Sequence, residues 1–200
     1  MTGRDTAGEN YRDAILAGQE WSGRRFTACD FTDADLRGLR TGNCVFVECD
    51  FTRADLGESR HRASGFHSCT FHRTVLADSA WRDCSLVGST FTECRMRPIS
   101  LLDTDLTLVS LGGASLRGVD LRGLRLREAN LTETDLRDAD LRNADLRGTR
   151  LSGTRLEGAD LRGAAVEGSS LAVAVLSGAR VDVDIALAYA AAMGLRIEFG

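Results

Sequence analysis

Three kinds of residue in this chain could do chemistry. His67, Cys69 and His72 fall within six positions of one another, and such nitrogen and sulfur donors are what a zinc ion takes. Six cysteines, Cys29, Cys44, Cys49, Cys69, Cys84 and Cys94, could form a disulfide framework. Asp105, Asp120, Asp135, Asp140, Asp145 and Asp160 recur at multiples of five, and neighbouring carboxylates can divide acid and base work. Serine is common, but no nucleophile elbow surrounds one, and no glycine run forms a phosphate-cradling loop before a helix. Whether any of these groups can act depends on the elements that position them, because metal ligands and acid-base pairs must converge on one point.

Those elements follow from an internal repeat. In ANLTETDLRDADLRNADLRG a large apolar residue returns every five positions, at Leu131, Leu136, Leu141 and Leu146. Stepping by five in both directions gives an unbroken ladder of 35 such centres from Tyr11 to Val181, of which only Thr41 and His61 are neither apolar nor aromatic. With 43% of the residues hydrophobic, chance would fill fewer than half of them. The position two before each centre holds mostly Ala, Ser, Thr or Cys, as at Ala34, Ser59, Thr74 and Ala129, and all six cysteines occupy it. A period of five fits neither the 3.6 of a helix nor the 2.0 of a strand, so helix bundles and ordinary sandwiches fit it poorly.

The pattern resembles the pentapeptide-repeat family over roughly nine-tenths of the chain. The resemblance implies an all-β fold, a right-handed quadrilateral parallel β-helix in which four units make one square coil of twenty residues. The centre and the small residue point inward and the other three outward. Residues twenty apart should therefore stack: Phe31, Phe51, Phe71 and Phe91 in one column, and Phe26, Phe46 and Phe66 in another. Every centre from Leu101 to Leu161 is Leu, which implies a thinner, more regular stack. Gly38, Gly118, Gly123, Gly148 and Gly163 suit corners between faces. Pro98, the only proline, cannot donate to a β ladder and predicts a bend or local break between coils.

The same register decides the chemistry. Cys29, Cys49 and Cys69 form a column at the strand spacing of ~4.8 Å, and parallel side chains leave their Cβ atoms beyond the ~3.8 Å of a disulfide, so the thiols are expected to be free. His67 and His72 point outward and Cys69 inward, so they form no zinc site. His61, at a centre, is expected to be a hydrogen-bonded core histidine. Aspartate precedes the centre ten times and Arg often follows it, which reads as a solvated, paired face. No active site, metal or cofactor is expected.

After Val181 the register stops, and VDVDIALAYAAAMGLRIEFG reads as a short α-helix and a strand-like tail, with Asp184 as N-cap and Gly194 as the stop. The β-helix is thus expected over 1–183, clear over 24–183 and less regular over 1–23, with 184–200 covering the open end. Within the family, the segments VECDFTRADLGESRHRASGFHSCTF, RMRPISLLDTDLTLVSLGG and ARVDVDIALAYAAAMGL are similar to the mycobacterial fluoroquinolone-resistance branch, related to the Qnr proteins. That resemblance implies a DNA mimic that binds DNA gyrase, a type II topoisomerase. It also implies a homodimer joined end to end through Ile185, Leu187, Ala188, Tyr189 and Met193. A competing reading is a scaffold with another protein partner, since a fold does not specify function.

Charge bears on the choice. The chain carries 29 acids and 25 basic residues, all Arg, for a net −4, which argues against direct nucleic-acid binding. Residues 1–127 hold 17 acids and 17 Arg and 185–200 hold one of each, so the whole −4 lies in 128–184, with 11 acids against 7 Arg. Pairing two chains would put −8 at the middle of the rod. The expected gyrase-facing acids are Asp135, Asp138, Asp140, Asp145, Glu157, Asp160, Glu167 and Asp182. No apolar stretch is long enough to span a bilayer and the start lacks an export signal, so a cytoplasmic protein is expected.

Overall fold

In a computed structural model, which describes residues 5–198, the chain winds as a right-handed, four-sided parallel β-helix. The expectations for residues 1–4 and 199–200 lie outside the described residues, whereas the coil is already regular at residue 5. Each unit is closed by a turn. In most units, including every one from Leu106 to Leu161, the N–H three residues after the centre donates to the centre's carbonyl, as from Thr134 to Leu131 at 3.0 Å and from Ala139 to Leu136 at 3.1 Å. The residue between, two after the centre, takes a left-handed backbone, with φ of 58° at Glu133 and 57° at Asp138. A β-turn of this kind requires positive φ at its third residue. The five glycines expected at corners all have positive φ.

Four corners return the chain over itself after twenty residues. The Leu136 N–H donates to the Arg155 carbonyl at 2.8 Å, and the Asp135 N–H to the Ala114 carbonyl at 2.9 Å. In the N-terminal half the faces lengthen into short strands. These are β1 (Asp5–Ala7), β2 (Glu20–Ser22), β3 (Arg25–Thr27), β4 (Arg40–Gly42), β5 (Val45–Val47), β6 (Arg60–Arg62), β7 (Gly65–His67), β8 (Thr70–His72), β9 (Ser79–Arg82), β10 (Thr90–Thr92) and β11 (Ile99–Leu102). They stack in parallel as β1-β3-β5-β7, β2-β4-β6-β9-β11 and β8-β10, always with residue i opposite i+20. From Asp105 onward the faces are held by single bridges at the same spacing.

Every centre from Trp21 to Leu161 except the half-buried Leu101 is buried. The aromatic columns stack face to face: Phe31–Phe51 and Phe51–Phe71 at 5.0 Å, Phe71–Phe91 at 4.5 Å, with Tyr11 extending the column at 4.8 Å from Phe31. The small inward position has a hydrogen-bonding role as well as a steric one. Hydroxyls there donate to the carbonyl of a centre one coil back, Thr74 to Phe51 at 2.7 Å, Ser89 to Phe66 at 2.8 Å and Thr134 to Leu111 at 2.8 Å. The thiols of Cys49 and Cys69 reach the corresponding carbonyls of Phe26 and Phe46 at 3.6 and 3.7 Å, and all six cysteines are free.

The break expected at Pro98 lies on one side of its coil. Towards the N-terminus the ladder is intact, with β11 paired to β9 and the Asp78 N–H on the Pro98 carbonyl at 2.6 Å. Towards the C-terminus, the two faces centred on Met96 and Leu101 make no backbone hydrogen bonds to the next coil among the described residues. Pro98 stands two after a centre, where the corner needs positive φ, and its ring confines φ to about −65°. The corner therefore takes another shape, and the next coil cannot follow its backbone.

At the C-terminal end the last corners also depart from the pattern. Gly168–Leu171 forms a one-turn helix, α1, and Val183–Ala192 forms α2. The N-cap of α2 is Asp182, whose carboxylate accepts the Ile185 N–H at 3.0 Å, so Asp184, expected there, sits instead in the first turn. Gly194, with φ 84°, ends the helix: its N–H reaches the Ala191 carbonyl and the Leu195 N–H the Ala190 carbonyl, each at 3.0 Å, a Schellman closure. No strand forms over 195–198. Helix α2 lies so close over Gly168 that a Cβ there would collide with the Ala188 carbonyl oxygen. Gly168→Ala should accordingly lower stability by about 2 kcal/mol through forced displacement of α2, read by urea unfolding; an unchanged midpoint would show that α2 is not held there.

Candidate functional site

The histidines and cysteines do not converge. His67 lies on the outside of β7 with Nε2 3.1 Å from Ser85 Oγ, while Cys69 is buried. Among the described residues no group of His, Cys, Asp or Glu is placed to hold a metal ion. His61 is a core residue: Nδ1 is 2.8 Å from Thr41 Oγ1, Nε2 is 2.9 Å from Ser59 Oγ, and its ring lies 4.0 Å from that of Trp81. Thr41 and His61, the two polar centres, thus satisfy each other one coil apart, with Ser64 completing the chain at 3.0 Å from Thr41. Full burial, aided by the adjacent Arg60, pushes the His61 imidazole down to about 3, so it stays neutral.

The acidic coils are more neutralised than their charge count suggests. Asp135, Asp140, Asp145 and Asp160 each accept the backbone N–H two residues on and a two-pronged bond from that residue's guanidinium. Asp135 meets Arg137 at 2.8 and 2.7 Å, and Asp140 meets Arg142 at 2.9 and 2.6 Å. These bonds hold the Asp135, Asp145 and Asp160 carboxyls down to about 2. Asp160 stands on the outside of its face but is covered by Arg142, Arg162 and Arg180, so it presents little free charge. Asp138 pairs with Arg117 at 2.8 Å and Glu157 with Arg155 at 3.6 Å. Glu167 and Asp182 serve the backbone: Glu167 accepts the Gly148 N–H at 3.1 Å, and Asp182 accepts that of Gly163 at 2.7 Å besides capping α2.

Within 128–184, three carboxylates have neither an ion pair nor a side-chain hydrogen bond among the described residues. Glu128 and Glu133 are exposed, and Asp184 is exposed in the first turn of α2. The expected acidic set named none of these three, although it included other acids that follow a centre, such as Asp138 and Glu157. The available signal was the absence of Arg at the right offset.

The cap end shows a similar shift. Of the residues implied for a dimer, Ile185 is buried in the core of its own chain, Leu187 and Tyr189 are half-buried, and Ala188 and Met193 are exposed. Around them the end of the rod exposes Val183 at 71%, Leu195 at 64%, Val173 at 55% and Val175 at 46%, none of which the sequence singled out. Acidic corners and a bare apolar end therefore adjoin. No helix among the described residues is long and apolar enough to cross a membrane.

Known proteins match the chain in its repeat and its fold. The family described as pentapeptide repeats matches in eight copies over residues 26–60, 84–123 and 125–163, more than half of the chain. The pentapeptide repeat protein MfpA of Mycobacterium tuberculosis is 57% identical over 30 residues, a stretch that spans 15% of this chain and 16% of that relative. A trypsin-treated form of QnrB1, a plasmid-mediated fluoroquinolone resistance protein, superposes with a TM-score of 0.83 at 19% identity, covering 98% of this chain and 99% of the other. Full-length QnrB1 gives 0.72 over the same shares. At that identity the likeness is one of fold.

The neutral core histidine has a measurable consequence. Its folded pKa lies below the ordinary value of 6.5, so the unfolded chain takes up the proton first and stability falls as pH drops from 6.5 towards 3. The slope should be about 1.4 kcal/mol per pH unit. Urea unfolding should show a loss of about 2 kcal/mol between pH 7 and pH 5, absent from His61→Gln; equal slopes in the two proteins would mean that His61 is protonated in the fold.

Proposed function

The chain belongs to the pentapeptide-repeat family, and on that premise we propose that it is a DNA-mimicking rod that occupies the DNA-binding groove of DNA gyrase, with a role in fluoroquinolone resistance. The observation that carries this reading is the juxtaposition at the C-terminal end of exposed apolar side chains with the coils that hold all of the net negative charge. Two chains meeting there bury Val173, Val175, Val183 and Met193 and bring two segments of −4 together as −8 at the centre. Coils at ~4.8 Å make each rod roughly 40 Å long, so the pair spans about 80 Å, the length of roughly 24 base pairs. The short stretch shared with MfpA and the fold shared with QnrB1 support the assignment. One observation favours a scaffold with another partner: the aspartates of the faces are already matched by arginines, which leaves Glu128, Glu133 and Asp184 to supply most of the unbalanced field.

Val183→Arg should convert the dimer to monomer in sedimentation at micromolar concentration without unfolding it, because the side chain is exposed in one chain. A monomeric parent protein would remove the end-to-end arrangement. Purified protein should inhibit gyrase supercoiling, and the effect should weaken as salt rises. Glu128→Gln, Glu133→Gln and Asp138→Asn combined should reduce that inhibition several-fold while leaving the melting temperature within a few degrees. Undiminished inhibition by the folded triple variant would rule out the acidic-centre mechanism, and a parent protein inert towards gyrase would leave the scaffold reading.

A further inference from the structure

One face of the rod changes its charge pattern halfway along. It is the face of β2, β4, β6, β9 and β11, continued through the centres Leu121, Leu141 and Leu161. In the C-terminal coils each arginine after the centre is gripped by an aspartate before it. Arg122 meets Asp120 at 2.8 and 2.6 Å, and Arg162 meets Asp160 at 2.9 and 2.6 Å. In the N-terminal coils the same outward positions hold Arg62 and Arg82 after the centre, but Arg60 and Ala80 before it, with Arg40 one coil back. Arg40 stands directly opposite Arg60 across the ladder, and Arg62 opposite Arg82. Like charges in that relation repel.

Few internal groups relieve this repulsion. Arg40 reaches Glu20 at 3.4 Å, and Arg60 turns one nitrogen to the carbonyls of Glu58, Ser59 and Asp78. Arg62 and Arg82 are exposed and have no ion pair among the described residues. Together the arginines rim a shallow depression floored by Thr41, His61 and Ala80. Exposed guanidinium forks whose carboxylate partner has been replaced by Arg or Ala form a surface completed from outside.

We propose that this face is a docking site for a short acidic segment of a partner protein, whose Asp or Glu carboxylates take the places that Asp120, Asp140 and Asp160 take further down the same face. The template favours carboxylates, because the same fork on the same face already holds them. Extent favours a short segment over a nucleic acid. On this face the arginines that lack an aspartate before the centre run only from Arg40 to Arg82, and a long polyanion lying along the rod would run onto the segment that carries the net −4. The proposal does not depend on gyrase being the partner of the acidic end.

A fluorescein-labelled hexaglutamate peptide, titrated with the full-length chain at low and at physiological salt and read by anisotropy, tests it. Binding should be salt-sensitive and about tenfold weaker for Arg62→Gln combined with Arg82→Gln. It should be unchanged for Arg150→Gln, which removes an exposed arginine from another face. Thermal melts of each variant separate lost binding from lost fold. Absence of binding at low salt, or an equal loss in Arg150→Gln, overturns the proposal. So does a labelled single-stranded DNA that binds this face more tightly than the peptide and resists displacement by it, which would assign the face to nucleic acid.

Discussion

The structure depends on one backbone constraint, a left-handed residue two positions after each centre. With that residue in place the chain turns a corner every five residues, four corners close a coil, and the next coil lies over it at a shift of twenty. Glycine supplies the conformation without steric cost, but Glu133, Asp138, Asn143 and even Leu108 are held in it too. A side chain in the left-handed region costs roughly 1 kcal/mol, and the ladder bonds above and below each corner offset it. The constraint is clearest where it fails. Pro98 cannot adopt it, and the ladder lapses on two faces; Gly168 and Val173 do not adopt it, and the coil gives way to α1.

The core follows from the same geometry. Because equivalent residues stack at the strand spacing, a centre is chosen for fit to its own copy one coil away, and flat rings fit best face to face. Phe columns fill much of the N-terminal coils and Leu columns the rest. The small inward position stays small because the ring or chain of the centre takes the remaining space. It is polar in many units because a centre's carbonyl from the coil before points at it. Thr41 and His61 show the rule from the other side: two polar centres are tolerated because they are stacked partners and bond each other.

Nearly all of the regular coil was legible in the sequence, since its determinants repeat every five residues. The inward and outward alternation, the aromatic columns, the free thiols, the hydrogen-bonded core His61 and the disturbance at Pro98 all follow from position in that register. What was not legible depends on neighbours that the register does not name. Asp182 rather than Asp184 caps α2 because Asp182 also meets the Gly163 N–H one coil below. Ile185 is buried because α2 folds back over Leu171 and Gly168. The acidic residues counted as a field are largely private partners of arginines two residues on, as Asp135 is of Arg137, and a charge count cannot show that.

The lapse beside Pro98 gives the rod a grain. In a solenoid each coil contacts only its neighbours, so stability is a sum of interfaces and the least bonded one sets where the stack parts. Here that interface divides a block of aromatic, strand-forming coils from a block of leucine coils, and it retains two bonded faces out of four. Two lines of hydrogen bonds along adjacent edges act as a hinge pin, so the blocks pivot about one side while the other opens. A bending load applied to the ends therefore concentrates its strain at this level, while the fully bonded coils on either side resist it.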